Sequence, residues 1–242
     1  MSQEKVSTER KVYQIIADRL RERIRQGDFK AGSRLPAERE LVQILGVSRP
    51  SLREALIALE IDGSIEIRMG SGIYVCQKLL DSTRQTSTFG ESPTELMQAR
   101  AIIEGETVVM ACMNATKADC RYLQATIDSM RAAVANGTSA VEADRKFHHR
   151  LAKIGGNTAL LKIITALFDE RHSPISSHMT EHAESVKTWT AAITEHTAIL
   201  DALQSKDIVA AQTAMRHHLK TSEKRWIEGA QLRSFEDEES YQ

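Results

Sequence analysis

The chain has 242 residues, of which 41% are hydrophobic and 27% charged, so it can bury a core as one large domain or two smaller ones. The net charge is -1, and residues 1–77 carry 13 Lys and Arg against 11 Asp and Glu, so charge alone does not identify a nucleic-acid-binding protein. No run of about 20 apolar residues is present, which excludes a membrane-spanning helix. The three cysteines lack a CxxC spacing and the first residues form no apolar signal core, so we expect a cytoplasmic protein with reduced thiols.

Residues 12–75 predict a short series of helices followed by a hairpin. Apolar residues at helical spacing, together with capping residues, predict helices at about 12–26, from Pro36 or Ala37 to Gly46, and from Ser48 to Gly63, with a short strand at 33–35. Two short strands follow at 65–68 and 73–75, joined by a glycine-containing loop at 69–72. This order is that of a winged helix-turn-helix, which places its second helix of the pair in the DNA major groove.

Four positions of this module are candidates for DNA contact. Arg49 and Arg53 are four residues apart and project from the same side of the predicted recognition helix, where a guanidinium group can read guanine. Arg39 lies on the preceding helix, within reach of phosphate or an outer base. Gly70 has no side chain, which lets the wing backbone approach the minor groove. The alternative is that the arginines form a solvated helix face without a function.

Beyond residue 77 the pattern changes to a polar stretch and then to helices. Residues 78–93 are predicted to be an interdomain linker, residues 94–229 an all-helical domain, and residues 230–242 an acidic flexible tail. The predicted helices are 94–114, 117–136, 138–154, 158–171, 184–204 and 206–228. The sequence therefore predicts a mainly α protein, with a winged helix-turn-helix at 1–77 and a helical bundle after the linker.

The histidines indicate where a metal site is to be sought. All eight lie after residue 147, and Asp144 and His148 are four residues apart on one predicted helix. His196 and His218 lie on two later helices, so three helices of a bundle could bring one carboxylate and three imidazoles together. Spacing alone also fits surface histidines or histidines that are hydrogen-bonded in the core.

Three segments of the first 77 residues together resemble the GntR family of bacterial transcription regulators. They are 35–41, 47–56 and 70–75. The resemblance implies that the DNA-contact positions are those of Arg39, Arg49, Ser51, Arg53 and Gly70. Pro50 stands where some members carry Thr, so a hydroxyl contact is missing there.

The later residues resemble the FCD effector domain of the FadR-type branch of the same family. The matching segments are 96–104, 144–148, 156–157, 195–196 and 214–219. The resemblance implies a metal held by Asp144, His148, His196 and His218, with His149 and His217 as bystanders. It implies that zinc is the first expectation for the ion, with nickel and manganese open, because geometry cannot be read from a sequence.

The same resemblance implies a small organic acid as effector. Arg100 aligns with a cavity position where it could pair with a carboxylate, and Asn157 could supply a polar contact. The alternative for Arg100 is an ion pair with Glu104 one turn later. The overall pattern is similar to the regulators of hexuronate catabolism, which favours a uronate or aldonate, while dicarboxylates, hydroxy acids and amino acids remain open.

These features predict a repressor that leaves its operator when the acid binds. We expect a homodimer on a pseudo-palindromic double-stranded operator, in which the effector favours a conformation that no longer matches the half-sites. One alternative is a metal-dependent hydrolase or lyase joined to a DNA-binding module, with Glu195 as the base. Another is an architectural DNA-binding protein whose helical half serves only to dimerise.

Overall fold

The computed structural model describes residues 10–68, 70–76 and 89–229. They form two compact units that divide between Ser92 and Pro93. Most of the predicted linker, residues 78–88, and the whole predicted tail, residues 230–242, lie outside the described residues.

The first unit contains three helices and a two-stranded hairpin within its described residues. Its elements are α1 (Val12–Arg25), α2 (Glu38–Leu45), α3 (Arg49–Ile61), β1 (Ile65–Arg68) and β2 (Gly72–Val75). The strands pair antiparallel with Ile65 opposite Val75, and Arg34 forms a bridge to Tyr74 on the outer side of β2. The predicted helices, strands and short segment at 33–35 are thus confirmed, as is the winged helix-turn-helix fold.

Local chemistry fixes the corner between α2 and α3. Gly46 ends α2 in the left-handed region at φ 66°, a conformation that glycine adopts without a steric penalty. Ser48 caps α3 by accepting a hydrogen bond from the Ser51 amide at 3.3 Å, and Pro50 lies in the first turn, where its missing N–H costs nothing. Leu52 and Leu56 are fully buried, and α3 packs on α1. The recognition helix is therefore held by its apolar face.

The second unit is an all-helical bundle. Its helices are α4 (Pro93–Asn114), α5 (Lys117–Ala135), α6 (Val141–Ile154), α7 (Thr158–Asp169), α8 (Pro174–Ala183), α9 (Val186–Gln204) and α10 (Ile208–Gly229). Helix α10 packs against α4, α8 and α9, and α6 packs against α4 and α5. This packing brings the inner faces of α4, α6, α9 and α10 together, and that is where the candidate metal residues lie.

Helix α8 is the one described element that the sequence reading leaves out. A single 3₁₀ turn at Glu170–His172 follows α7, and Pro174 then begins α8 as its first residue. Ile175 and Met179 are buried, but most of the helix surface is polar, so its apolar stripe is too short to predict a helix from periodicity.

Candidate functional site

The candidate DNA contacts on the first unit differ in exposure. Arg39 and Arg49 are exposed, Ser51 is half-buried, and the Ser51 hydroxyl lies 2.8 Å from that of Ser48. Two guanidinium groups are thus free to approach a nucleic acid from α2 and from the first turn of α3. Gly70 is exposed at φ 71°, so the wing favours glycine for its backbone conformation, and the close approach of Gly70 to DNA stays a prediction.

Arg53 has a different environment from the one expected. Its side chain is 9% exposed, and its Nε and Nη2 each lie 2.9 Å from an oxygen of Glu38. This two-point contact joins the start of α2 to α3 and sets the position of one helix against the other. The role of Arg53 in base reading stays a prediction, and the structure adds a structural role that spacing did not indicate.

Four of the predicted site residues come together in the second unit. Asp144 and His148 project from α6, His196 from α9 and His218 from α10, and one potential ligand atom from each lies within 4.8 Å of the other three. All four side chains belong to residues that are at most 5% exposed. Nitrogen and carboxylate oxygen donors in this number suit a divalent transition metal.

The outer nitrogen of each imidazole is engaged by an acceptor. The Nδ1 atoms of the three rings lie 2.5 Å from a Glu104 carboxylate oxygen (His148), 2.7 Å from the Ala192 carbonyl (His196) and 2.8 Å from a Glu195 carboxylate oxygen (His218). Each Nδ1–H therefore donates outward, which leaves Nε2 as the atom with a free lone pair. This is the orientation that metal-binding histidines need.

The inward-facing atoms are acceptors that face one another. His196 Nε2 lies 3.3 Å from His148 Nε2 and 3.1 Å from Asp144 Oδ1, which in turn lies 3.6 Å from His148 Nε2. Lone pairs at these distances repel unless a positive charge lies between them. The donor set therefore fits a bound cation, and it accounts for why these polar groups are buried together.

The pKa values of the cluster agree with this interpretation. Burial raises the pKa of Asp144, but the neighbouring His148, His196 and Arg171 side chains together outweigh it and hold that pKa well below its usual range. Burial lowers the pKa of His218 to about 3. Burial also acts to lower the pKa of His148, yet Glu104 and Asp144 together outweigh it and the net shift is upward, so the carboxylates favour a positive charge at this point. Asp144 is ionised and His218 neutral at pH 7, as a metal requires.

Arg100 is buried beside the metal-ligand cluster. Its Nε donates to Glu104 at 2.7 Å, so the i, i+4 ion pair that the sequence left open is present. Its guanidinium carbon also lies 3.9 Å from the ring centre of Phe168. The Nη2 atom is buried and finds no hydrogen-bond partner among the described residues, so the ion pair uses only part of its donors.

Two further arginines reach the cluster, and the sequence reading did not assign them to the site. Arg171 donates through Nη1 to Asp144 Oδ2 at 2.9 Å, and its Nε has no partner in the described part of the chain. Arg225 makes two hydrogen bonds to Glu195, at 2.6 and 2.8 Å, and Glu195 contacts His218. Burial raises the pKa of Glu195, but Arg225 and His218 outweigh it and bring it to about 2.

Each of the three arginines is thus linked to a candidate metal ligand. Arg100 reaches His148 through Glu104, whose pKa is about 2 because Arg100 and His148 outweigh the effect of burial. Arg171 contacts Asp144 directly, and burial lowers the pKa of Arg171 itself. A negatively charged ligand near these arginines would therefore act on groups that orient the metal ligands.

The three arginines line one cavity together with two residues of the cluster, Asp144 and His218. Its wall is formed by Met97, Arg100, Asp144, Arg171, Ala183, Glu184, Thr188, Trp189, Ala192, His218, Ser222, Arg225 and Trp226. This wall contains guanidinium groups, two of the potential metal ligands and two indole rings. Sites for small molecules have the same mixture of apolar surface and a few placed polar groups.

Asn157 lies elsewhere in the described structure. It is exposed, and its side-chain oxygen accepts hydrogen bonds from the amides of Ala159 and Leu160 at the start of α7. It is not in the wall of the cavity that the described residues form. The predicted effector contact of Asn157 stays a prediction, while its capping of α7 is a sufficient structural reason for the residue.

The sequence positions of Arg225 and Glu195 could have indicated that they lie near the candidate metal ligands. Arg225 follows His218 by seven residues, which is two helical turns, and so shares its face of α10. Glu195 precedes His196 directly. Arg171 and Glu184 lie at the ends of helices, outside any periodic pattern, and only the packing of α8 brings them to the cavity.

In the described residues, every helix is too short or too polar to cross a bilayer.

Comparison with known proteins finds a matching family for each of the two units. Residues 12–75 match the bacterial regulatory proteins of the gntR family, and residues 95–221 match the FCD domain. The chain is 36% identical over 226 residues to the Exu regulon transcriptional regulator of Escherichia coli (strain K12), covering 90% of this chain and 85% of the relative. It is 32% identical over 220 residues to the Uxu operon regulator of Haemophilus influenzae, covering 87% and 80%.

Among solved structures, Streptococcus agalactiae GntR is similar at 25% identity and a TM-score of 0.48, with 88% of this chain and 99% of that chain covered. The matched families and the two curated relatives are transcription regulators and not enzymes. The chain belongs to the GntR family of bacterial regulatory proteins, as a member that carries an FCD domain.

Proposed function

We propose that this chain represses a sugar-acid catabolic operon and leaves the operator when a uronate or aldonate binds in the cavity of the second unit. The observation that carries the proposal is that two members of the four-residue metal-ligand cluster, Asp144 and His218, share one cavity wall with three arginines. A cation and guanidinium groups together attract a carboxylate. The cavity wall combines apolar surface with a few polar groups, as the binding sites of small molecules do.

The metal in this proposal is held by Asp144, His148, His196 and His218. Zinc is the ion that we expect first, while nickel and manganese suit the same donors. A divalent cation bound there supplies positive charge and open coordination positions for carboxylate and hydroxyl oxygens. Glu104 and Glu195 keep the outer nitrogens of His148 and His218 engaged, so the ring orientations persist when the ligand exchanges.

Arg100 is the residue that we propose binds the carboxylate of the acid. Its Nη2 is buried and unpartnered in the described structure, and leaving such a donor without an acceptor costs about 1–3 kcal/mol or more for a charged group. A carboxylate oxygen removes that cost. Since Arg100 also contacts Glu104, the acid and the ligand His148 are connected through one carboxylate.

The choice of a sugar acid is supported by the curated relatives. They are named as regulators of the Exu regulon and the Uxu operon, and the chain covers most of their length. Dicarboxylates, simple hydroxy acids and amino acids would satisfy the same cation and arginines, so they are outcomes of the test below.

On the DNA side, we propose that Arg49 reads a base in the major groove, with Arg39, Ser51 and Gly70 contacting the backbone or the minor groove. Arg53 contributes by holding α3 against α2 through Glu38, in addition to any contact with a base. The chain acts as a homodimer, so the operator is pseudo-palindromic double-stranded DNA.

The experiment is thermal unfolding of metal-loaded and chelator-stripped protein with a panel of uronates, aldonates, dicarboxylates, hydroxy acids and amino acids. A ligand that binds the native state raises the midpoint as its concentration exceeds Kd. We expect a uronate or aldonate to raise the midpoint only when metal is bound. The proposal is contradicted if no acid of the panel raises the midpoint, or if the rise that an acid causes survives removal of the metal.

A further inference from the structure

The cavity contains one acidic side chain that neither the metal centre nor the arginine contacts use. Glu184 lies between α8 and α9 and forms part of the cavity wall. One of its oxygens, Oε2, accepts a hydrogen bond from the Ser139 hydroxyl at 3.4 Å. The other, Oε1, is buried and has no hydrogen-bond partner among the residues described.

A buried carboxylate oxygen without a donor needs a physical reason. Arg171 acts on Glu184 through its charge but donates its Nη1 hydrogen bond to Asp144, and its Nε is also unpartnered in the described chain. The same wall therefore holds an unused acceptor on Glu184 and unused donors on Arg171 and Arg100.

These unpartnered donors and this acceptor restrict which functional groups a ligand of the cavity can carry. A carboxylate has only acceptor atoms, so it satisfies the arginines and leaves Glu184 unsatisfied, and a second carboxylate near Glu184 is repelled. A hydroxyl group both donates and accepts, so it can donate to Glu184 Oε1 while a neighbouring oxygen accepts from arginine. Trp189 lies in the wall beside Glu184 and acts to lower the pKa of its carboxyl group, against the larger effect of burial. The indole ring also offers an apolar surface to the carbon skeleton of a ligand.

We infer that Glu184 is the specificity-determining residue that recognises the hydroxyl groups of the acid and rejects dicarboxylates. The inference rests on the proposed function and sharpens it, because it selects polyhydroxylated acids with a single carboxylate. The cation and Arg100 bind the carboxylate end, and Glu184 binds the hydroxylated part of the same molecule.

The test compares the full-length, metal-loaded protein with Glu184→Ala and Glu184→Gln by isothermal titration calorimetry. The probes are galacturonate, gluconate, lactate and succinate. A hydrogen bond to a charged group accounts for roughly 10-fold to 100-fold in affinity, so Glu184→Ala should weaken galacturonate and gluconate by that factor. Lactate should be unchanged and succinate should bind more tightly. Glu184→Gln should lie between, because it keeps an acceptor oxygen without the charge.

Glu181→Ala is the matched control, since Glu181 is exposed on the neighbouring α8 and should leave every affinity unchanged. Metal content and unfolding midpoint of each variant show that the fold and the metal centre persist. Equal effects of Glu184→Ala on all four acids, or no effect on the two sugar acids, overturn the inference while the acids still bind. If none of the four acids binds the unaltered protein in a metal-dependent manner, the proposed function fails, and the inference fails with it.

Discussion

Arg49 on α3 is exposed to solvent and reachable from outside, whereas Arg100 on α4 is 3% exposed and lies between Glu104 and the ring of Phe168. In the first unit, charged side chains that face outward are available for a large partner. In the second unit, several buried charged side chains are connected with one another around four potential metal-ligand atoms. Exposure thus separates the residues that we propose for DNA recognition from those that we propose for binding a small molecule.

Arg53 qualifies this comparison, because it belongs to the first unit and is nevertheless buried. Its two contacts to Glu38 resemble the buried pairs of the second unit more than the exposed Arg49. Substitutions of buried charges should therefore change stability or metal content, and substitutions of exposed charges should change only DNA recognition.

The largest effect is expected from His218→Ala. Because His218 supplies one of four converging ligand atoms, its removal should lower metal affinity by at least about 100-fold, beyond what outer contacts contribute. Metal bound per chain, measured by elemental analysis after gel filtration, should fall close to zero, and operator binding should lose its response to the acid. His217→Ala is the matched control, since its side chain is exposed on the same helix. Equal metal content in the two variants would falsify the assignment of His218.

Arg53→Ala comes next in size. It leaves Glu38 as a buried, unpaired charge, so we expect the free energy of unfolding to fall by about 3–5 kcal/mol. Urea unfolding followed by circular dichroism measures the change. The double variant Arg53→Met with Glu38→Met removes both charges and should recover much of the loss. A double variant as unstable as Arg53→Ala alone would show that the ion pair is not the cause.

Arg49→Ala should act on DNA recognition alone. The loss of a base contact is expected to weaken operator binding by about 1–3 kcal/mol and to relax specificity at one position. Fluorescence anisotropy with an operator selected from random duplexes, and with single-base variants of it, gives both quantities. Arg25→Ala, an exposed arginine at the end of α1, serves as the control. Unchanged discrimination in the Arg49 variant would argue against the position of α3 in the groove.

The smallest effect is expected from Asn157→Ala. Loss of the cap on α7 should lower the free energy of unfolding by about 0.5–2 kcal/mol, without a change in acid affinity. Asn157→Asp keeps an acceptor for the helix amides and should restore stability. If both variants instead weaken the acid equally, Asn157 contacts the effector as the sequence suggested, and its role is not only structural.

The winged helix-turn-helix could be predicted closely from the sequence because its signals are local. Gly46, Ser48 and Pro50 each fix a turn or a cap through their own chemistry, and the strands alternate in a short, regular pattern. The burial of Arg53 could not be predicted, because its partner Glu38 lies 15 residues earlier on another helix.

The second unit was predictable where helical periodicity and family resemblance coincide. Asp144 and His148 share a face by their spacing, His196 and His218 were candidates from their places on two later helices, and the resemblance supported the complete set. The contributions of Arg171 and Glu184 depend on the packing of α8, a helix whose largely polar sequence gives little periodic signal. Contacts made by residues at the ends of helices depend on tertiary structure, so the spacing of residues in the sequence does not predict them.

The most direct test of the account is the operator affinity of the metal-loaded protein with and without galacturonate, repeated after removal of the metal. Fluorescence anisotropy with the selected duplex measures Kd under the four conditions. We expect galacturonate, or another sugar acid of the panel, to weaken operator binding only when the metal is present. Operator affinity that no acid changes in either form would contradict a metal-centred sensor.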